Sequence, residues 1–320
     1  MKNEYGFHGR LKQKFPSQII VDVTEICNLQ CTHCPHPTFK SSEHYDARCL
    51  DPEIHKKMVD EVKEKGGGYT QYIRYTSNGE PLVHPNIYDM LDYAVENSGV
   101  FITLTTNGTI MNANRIGKLL ASGLNMIDIS IDAYLPDTYG KIRVGGKLSK
   151  TQENVHNLIH MRNELGVKTK IIVSFVEHDH NKKEIEEFEN YWNRSGVDSV
   201  VIRRLHSAAG GVPLIAANLM SDPKNSIRRP CLYPWERITL NPKGELAFCP
   251  QDWIHGSVLE DYRKTTIEAV WNGLRYKEIR NAHLSNDYSN CSFCGNCPDW
   301  AQTRWPNDGK SYANLVENFI

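Results

Sequence analysis

Short apolar runs along the chain alternate with longer segments in which apolar residues recur every three to four positions. Ile19, Ile20, Val21 and Val23 form the first run and predict a buried strand. Asp51 then opens a helix with Ile54, Met58, Val59 and Val62 on one face, ending at Gly66-Gly67-Gly68. The alternation continues with strand 70–76, helix 87–97, strand 100–105, helix 112–122, strand 126–131, helices across 136–165, strand 167–176, helix 182–194 and strand 197–203. Gly123, Gly166 and Gly196 each follow a helix, where a left-handed cap is wanted. Six strands alternating with helices predict an α/β fold with a parallel sheet buried on both faces. Right-handed crossovers would curve that sheet and place its working edge at the C-terminal strand ends. A partial barrel and a doubly wound open sheet both fit this pattern.

At Leu205 the pattern breaks. A loop-like stretch leads to Cys231, then strand 237–241, a Pro242-Lys243-Gly244-Glu245 turn, strand 246–249 and a helix near 267–280. The expected organisation is an extension over 1–16, the main α/β unit over 17–205, a linker over 206–230 and a small module over 231–320.

Composition narrows the partners. The net charge is −1, which offers no basic field for nucleic acid or an anionic membrane. No apolar run approaches the roughly 18 residues of a membrane span, and Met1 to Tyr5 lacks the core of a signal peptide. A cytoplasmic protein is expected, where clustered cysteines signal metal or catalysis more than disulfides.

The nine cysteines are grouped: Cys27, Cys31 and Cys34, then Cys49, then Cys231, Cys249, Cys291, Cys294 and Cys297. Three thiolates on one loop after a strand suit an iron–sulfur cluster or zinc, and a three-thiolate cluster leaves one iron open to a ligand. The five distal thiols would staple a hairpin too small to stand alone, around a cluster or a ribbon zinc. Cys49 is expected to be a small buried hydrophobe. His33 and His36 are expected in solvent, Arg74 at the surface, and Tyr75 in packing or facing a cofactor.

The Cys27-x-x-x-Cys31-x-x-Cys34 loop resembles the signature of the radical S-adenosylmethionine (SAM) superfamily. The resemblance implies a 4Fe–4S cluster that holds SAM on its open iron and cleaves it to a 5′-deoxyadenosyl radical. It also implies a partial (β/α)6 TIM-like barrel and a flavodoxin- or ferredoxin-type electron donor. Ser77-Asn78-Gly79-Glu80-Pro81-Leu82 looks like the family's Gly-Gly-Glu-Pro motif, with Asn78 at the first glycine. By the same resemblance Thr106 and Asn107 lie beside SAM, Ser130 and Asp132 face its ribose and carboxylate or the substrate, and Arg143 binds its carboxylate. Cys231, twelve residues, Gly244, four residues and Cys249, with Cys294-x-x-Cys297-Pro298-Asp299-Trp300, resemble the SPASM and twitch extensions that carry auxiliary iron–sulfur clusters. One auxiliary 4Fe–4S cluster on Cys231, Cys249, Cys294 and Cys297 is expected, with Cys291 able to displace one of the last two.

Among reactions, oxidation or epimerisation of a sugar or aminocyclitol carbon ranks first. A first strand starting near Ser17 leaves no room for a peptide-leader domain. Arg203, Arg204 and His206, at the end of the sixth strand, are candidates for substrate binding or for the base that oxidation needs. Cys291 could return a hydrogen atom in an epimerase. A peptide-modifying enzyme is the alternative, and a non-catalytic metal-binding protein a remote one.

Overall fold

The computed structural model describes residues 14–76, 78–222 and 228–302, together with Val316 and Phe319. Six strands pair in parallel in sequence order: β1 (Gln18–Val21), β2 (Tyr72–Tyr75), β3 (Phe101–Thr106), β4 (Met126–Ser130), β5 (Lys170–Val176) and β6 (Ser199–Arg203). The connecting helices are α1 (His36–Phe39), α2 (Pro52–Lys65), α3 (Ile87–Asn97), α4 (Ala113–Ala121), α5 (Pro136–Ile142), α6 (Leu148–Leu165) and α7 (Ile185–Arg194). Local chemistry sets their ends. The Asp51 carboxylate accepts the Glu53 amide at 2.8 Å ahead of Pro52, and Gly166 closes α6 at φ 63°.

Alternation along the strands makes two unlike faces. Ile19, Ile73, Leu104, Ile127, Ile129, Val173 and Phe175 pack with helix residues such as Val59, Leu91, Leu119 and Leu158 in the main core. The opposite, concave face begins with an apolar floor, where Tyr72, Met126 and Ile172 meet Val316, with Phe101, Val201 and Phe319 beside them. Above that floor it turns polar, at Arg74, Asp128 and Arg203. This is the curved parallel sheet of a partial barrel.

The distal module continues the same sheet. β7 (Arg237–Leu240) pairs in parallel with β1, and β8 (Glu245–Ala247) and β9 (Val258–Asp261) follow antiparallel, giving the order β6-β5-β4-β3-β2-β1-β7-β8-β9. Three details depart from the sequence reading. The expected linker contains α8 (Pro213–Ser221), whose apolar residues include no buried one. Behind α9 (Tyr233–Glu236), the predicted helix near 267–280 is two helices, α10 (Ile267–Asn272) and α11 (Leu274–Ser285), because Gly273 is extended at ψ 167°. β9 is a third strand, too short and half-exposed to show an alternation. α12 (Ser292–Asn296) then carries Cys294. Among the described residues no helix is long and apolar enough to cross a membrane.

Candidate active site

The three-cysteine loop leaves the C-terminal end of β1 and is fixed by its neighbours. The Glu80 amide donates to the Ile26 carbonyl at 2.9 Å, and the Gln30 and Thr32 amides donate to Val144 and Ile142 at 2.9 and 3.0 Å. Gly79 permits that approach: a Cβ there would lie 2.2 Å from the Thr24 carbonyl oxygen and 2.7 Å from that of Ile26. Burial pushes the Cys27 thiol up to about 11 and Cys34 to about 12, and the cysteines reinforce each other through their charges. Three thiols on one short loop, each pushed up by burial, become thiolates only beside positive charge, so the donor set fits an iron–sulfur cluster.

Glu80 is a hub between strand ends. One oxygen accepts the Thr106 hydroxyl at 2.6 Å and the Leu82 amide at 3.1 Å, and the other accepts the Asn107 amide at 2.8 Å. Burial outweighs these donors and raises its proton affinity above a carboxylate's ordinary value. The Asn107 side chain reaches Asn28 at 2.9 Å, tying the Thr-Asn-Gly turn to the cysteine loop. Asn78 donates its amide to Asp22 and its side chain to the Asp252 carbonyl, both at 3.2 Å, so it joins the main unit to the distal module. Ser77 lies outside the described residues.

Beyond β4, Asp132 is left-handed at φ 65° and buried. Its Oδ2 takes Arg143 Nε at 2.8 Å and a terminal nitrogen at 2.5 Å, and its Oδ1 takes the Val176 amide at 2.7 Å. Burial opposes the carboxylate charge, but Arg143, His33 and that amide together hold Asp132 below its ordinary range. Arg143 also points Nη1 at Cys31 Sγ, 3.7 Å away. His33 stands 3.7 Å from Asp132 and packs edge-on against His178, and burial drives it down to about 3. His36 is buried too, bonded to the Glu25 carbonyl at 2.8 Å and ringed by Phe39, Tyr45 and Trp253. The expectation of solvated histidines is therefore wrong, because the loop folds inward rather than over the surface.

Ser130 faces Ser174 at 3.4 Å on the concave side. Below it, Asp128 Oδ2 receives Arg203 at 2.5 Å and Arg74 at 3.5 Å, and Arg74 also reaches Thr105. Arg74 is thus an interior group, not a surface one. Among the described residues Asp128 Oδ1 is buried without a partner. Sequence reasoning gave Asp128 no role, although it shares the alternation of Ser130 and Asp132. Tyr75 faces the helices instead, bonded to His55 at 2.6 Å. Arg204 is exposed. His206 Nδ1 accepts the Ala208 amide at 3.2 Å, which in the neutral ring leaves the proton on Nε2.

In the distal module, Cys231, Cys249 and Cys297 influence one another's charge, and Cys294 is close enough to feel Cys231 and Cys249. Cys291 is hydrogen-bonded to Cys294 and buried in the apolar core, with Arg275 and Arg228 nearby. The residue offered as a hydrogen-atom donor therefore sits in the main apolar core. Asp299 accepts the Ser207 amide and hydroxyl and the Ala209 amide at 2.6–2.8 Å, clamping the turn after β6. Cys49 is half-buried, 3.3 Å from the Thr24 hydroxyl.

Comparison with known proteins agrees with this arrangement. A family model described as the radical SAM superfamily matches residues 21–191, and one for an iron–sulfur cluster-binding domain, SPASM, matches 231–298. A tungsten-containing aldehyde ferredoxin oxidoreductase cofactor-modifying protein of Pyrococcus furiosus is 28% identical over 189 residues, 58% of this chain and 51% of that one. A GTP 3′,8-cyclase of Desulforamulus reducens is 32% identical over 143 residues, 44% of this chain and 42% of that one. The chain thus spans about half the length of these curated relatives. Among solved structures, BtrN in complex with AdoMet and 2-DOIA superposes with TM-score 0.59 at 17% identity, covering 88% of this chain and 92% of that one. Streptococcus suis SuiB bound to precursor peptide SuiA gives 0.66 at 15%, covering 97% and 74%. At these identities both likenesses speak to the fold alone.

Proposed function

Because the chain belongs to the radical SAM superfamily, with SAM, a 4Fe–4S cluster and auxiliary iron–sulfur as its cofactors, we propose that it oxidises a secondary alcohol carbon of a hydroxylated small molecule of the sugar or aminocyclitol kind. When bound, the loop cluster with SAM supplies a hydrogen-abstracting radical, and the auxiliary cluster supplies a one-electron acceptor. Cys27, Cys31 and Cys34 hold the first cluster, and Cys231, Cys249, Cys294 and Cys297 hold a single auxiliary one. Glu80, Thr106 and Asn107 form one wall for SAM, with Gly79 and Asn78 fixing its approach. Arg143 brings positive charge toward the SAM carboxylate while Asp132 orients it, and Ser130 completes that side.

The observation that carries the choice of substrate is the polar concave face. Asp128 Oδ1, without a partner among the described residues, would accept a substrate hydroxyl and its proton. Arg203 and Arg74 hold the carboxylate's other oxygen and would orient hydroxyls, with His206 following the end of the sixth strand. An alcohol-to-ketone step gives up a hydrogen atom, a proton and an electron; Asp128 would take the hydroxyl proton, and the bound cofactors would supply the acceptors for the other two. Burial of Cys291 against Cys294 favours this over epimerisation. One feature favours a peptide substrate instead: the exposed apolar residues of α8, with Leu214 74% exposed.

The test is anaerobic reconstitution. About eight irons per chain and 5′-deoxyadenosine formed from SAM under reductant are expected, followed by ketone formation from a panel of aminocyclitols and sugars. In deuterated water the ketone route leaves no deuterium at the reacting carbon, whereas epimerisation does. Modification of peptides alone selects the second reading. Stoichiometric zinc without SAM cleavage, as in a non-catalytic metal protein, refutes both.

A further inference from the structure

Arg228 lies three residues before Cys231, yet its side chain reaches the far end of the distal module. The guanidinium donates to the Gly295 carbonyl at 2.9 Å and to the Cys294 carbonyl. It also lies over two rings, 3.9 Å from the Tyr288 centroid and 5.8 Å from that of Trp300. The Cys294 carbonyl accepts the Cys297 amide as well, at 3.1 Å. One cation is thus bonded to the turn that carries the last two cysteines and joined by a short stretch of chain to the first.

His283, on α11, holds that first cysteine. Its Nδ1 accepts the Cys231 amide at 3.3 Å and stands 3.0 Å from the Tyr288 hydroxyl, which in the neutral ring leaves the proton on Nε2. His283 is 3% exposed. Among the described residues, His283 Nε2 and Arg228 Nε are both buried without a partner. Buried donors without an acceptor are costly. Both belong to side chains already bonded to the backbone of the distal cysteines, where the sulfurs of a bound cluster are the acceptors that the chain itself does not supply.

Reduction adds one negative charge to a site already held by four thiolates, so a fixed cation beside the ligands favours the reduced form. The carboxylates nearby are wrapped in backbone amides: Asp299, beside Cys297, accepts those of Ser207 and Ala209, and Asp252, beside Cys249, accepts those of Gly256 and Ser257. We propose that Arg228 and His283 give their remaining N–H groups to the auxiliary cluster, and that the Arg228 charge raises its reduction potential. The inference rests on the distal cysteines holding an electron-accepting cluster, and it deepens that reading by naming two residues that tune the acceptor without touching substrate.

The test is a potentiometric titration of the full chain, anaerobically reconstituted and followed by electron paramagnetic resonance. The signal that added SAM leaves unchanged is the auxiliary cluster's. Arg228→Met should keep about eight irons and lower the auxiliary midpoint by about 59 mV, a tenfold change in the reduced-to-oxidised ratio for one electron. The midpoint of the loop cluster should stay in place. Arg228→Lys keeps the charge and should lose less than half of that shift, and His283→Phe should lower the ratio about threefold. A fully loaded Arg228→Met protein with an unmoved auxiliary midpoint overturns the proposal, and so does Arg228→Lys falling as far as Arg228→Met. If Arg228→Met fails to hold the distal iron, Arg228→Gln, whose amide can still donate to the Cys294 carbonyl, carries the same expectation and the same refutation. No substrate enters the titration, so a failure to form ketone would refute alcohol oxidation and leave this result standing.

Discussion

Replacing Asp132 with asparagine isolates a single charge. The residue is left-handed at φ 65°, and asparagine tolerates that region better than most side chains, so the backbone has no new reason to move. Arg143 is only 7% exposed and directs two nitrogens at the carboxylate, at 2.8 and 2.5 Å. Removing one partner of such a buried pair costs about 3–5 kcal/mol, chiefly because the remaining charge stays buried. The asparagine oxygen recovers about 1 kcal/mol as a neutral acceptor. The expected loss is therefore about 3 kcal/mol, or about 6 °C in melting temperature for a chain of this size. Thermal unfolding of the anaerobic holoenzyme measures it. Arg143→Met added to Asp132→Asn removes the orphaned guanidinium and should recover about 2 kcal/mol of that loss. An Asp132→Asn variant within 1 kcal/mol of wild type, or a double variant no more stable than the sum of its parts, would refute the reasoning.

Other outcomes follow from the same geometry. Gly79→Ala drives a Cβ into the Thr24 and Ile26 carbonyls, and should lower the iron retained by the cysteine loop and cost about 2–3 kcal/mol, read by iron content and melting. Burial, with His84 nearby, pushes His55 down to about 3 against about 6.5 in the unfolded chain. The unfolded state takes up its proton first, so stability is lost as pH falls below about 6.5 and continues to fall toward 3. This one residue removes about 1.4 kcal/mol by pH 5.5, and His55→Gln should abolish that share of the loss in melts compared at pH 7.5 and 5.5. Cys297→Ser should lose about four of about eight irons while Cys291→Ser keeps them, counted after reconstitution; equal losses would place Cys291 among the ligands.

Legibility followed periodicity and spacing. The six-strand alternation was plain because a parallel sheet needs unbroken apolar runs, and Ile87–Asn97 appears with the bounds its pattern implies. Cysteine spacing marked the first site, since ligands on a short loop must be close in sequence, and the grouping of Cys231, Cys249, Cys294 and Cys297 late in the chain marked the second. What did not show were contacts between distant segments. Arg74, Asp128 and Arg203 come from β2, β4 and β6 and meet only because the sheet curves. His33 looks like any loop histidine until the loop folds onto Asp132. The union of β1 with β7 joins residues more than two hundred positions apart, and nothing local announces it.

That union bears on how the chain can be dissected. A cut near residue 230 would look natural from the sequence, yet it would strip β7 from β1 along the four-residue register from Gln18↔Arg237 to Val21↔Leu240. The barrel fragment would then present a central, wholly buried strand as an open edge, and such an edge invites pairing with another copy. The isolated fragment is expected to aggregate or to need detergent, however well its own six strands are formed. Recombining the module with other barrels would likewise depend on matching a strand register, not on the length of a tether.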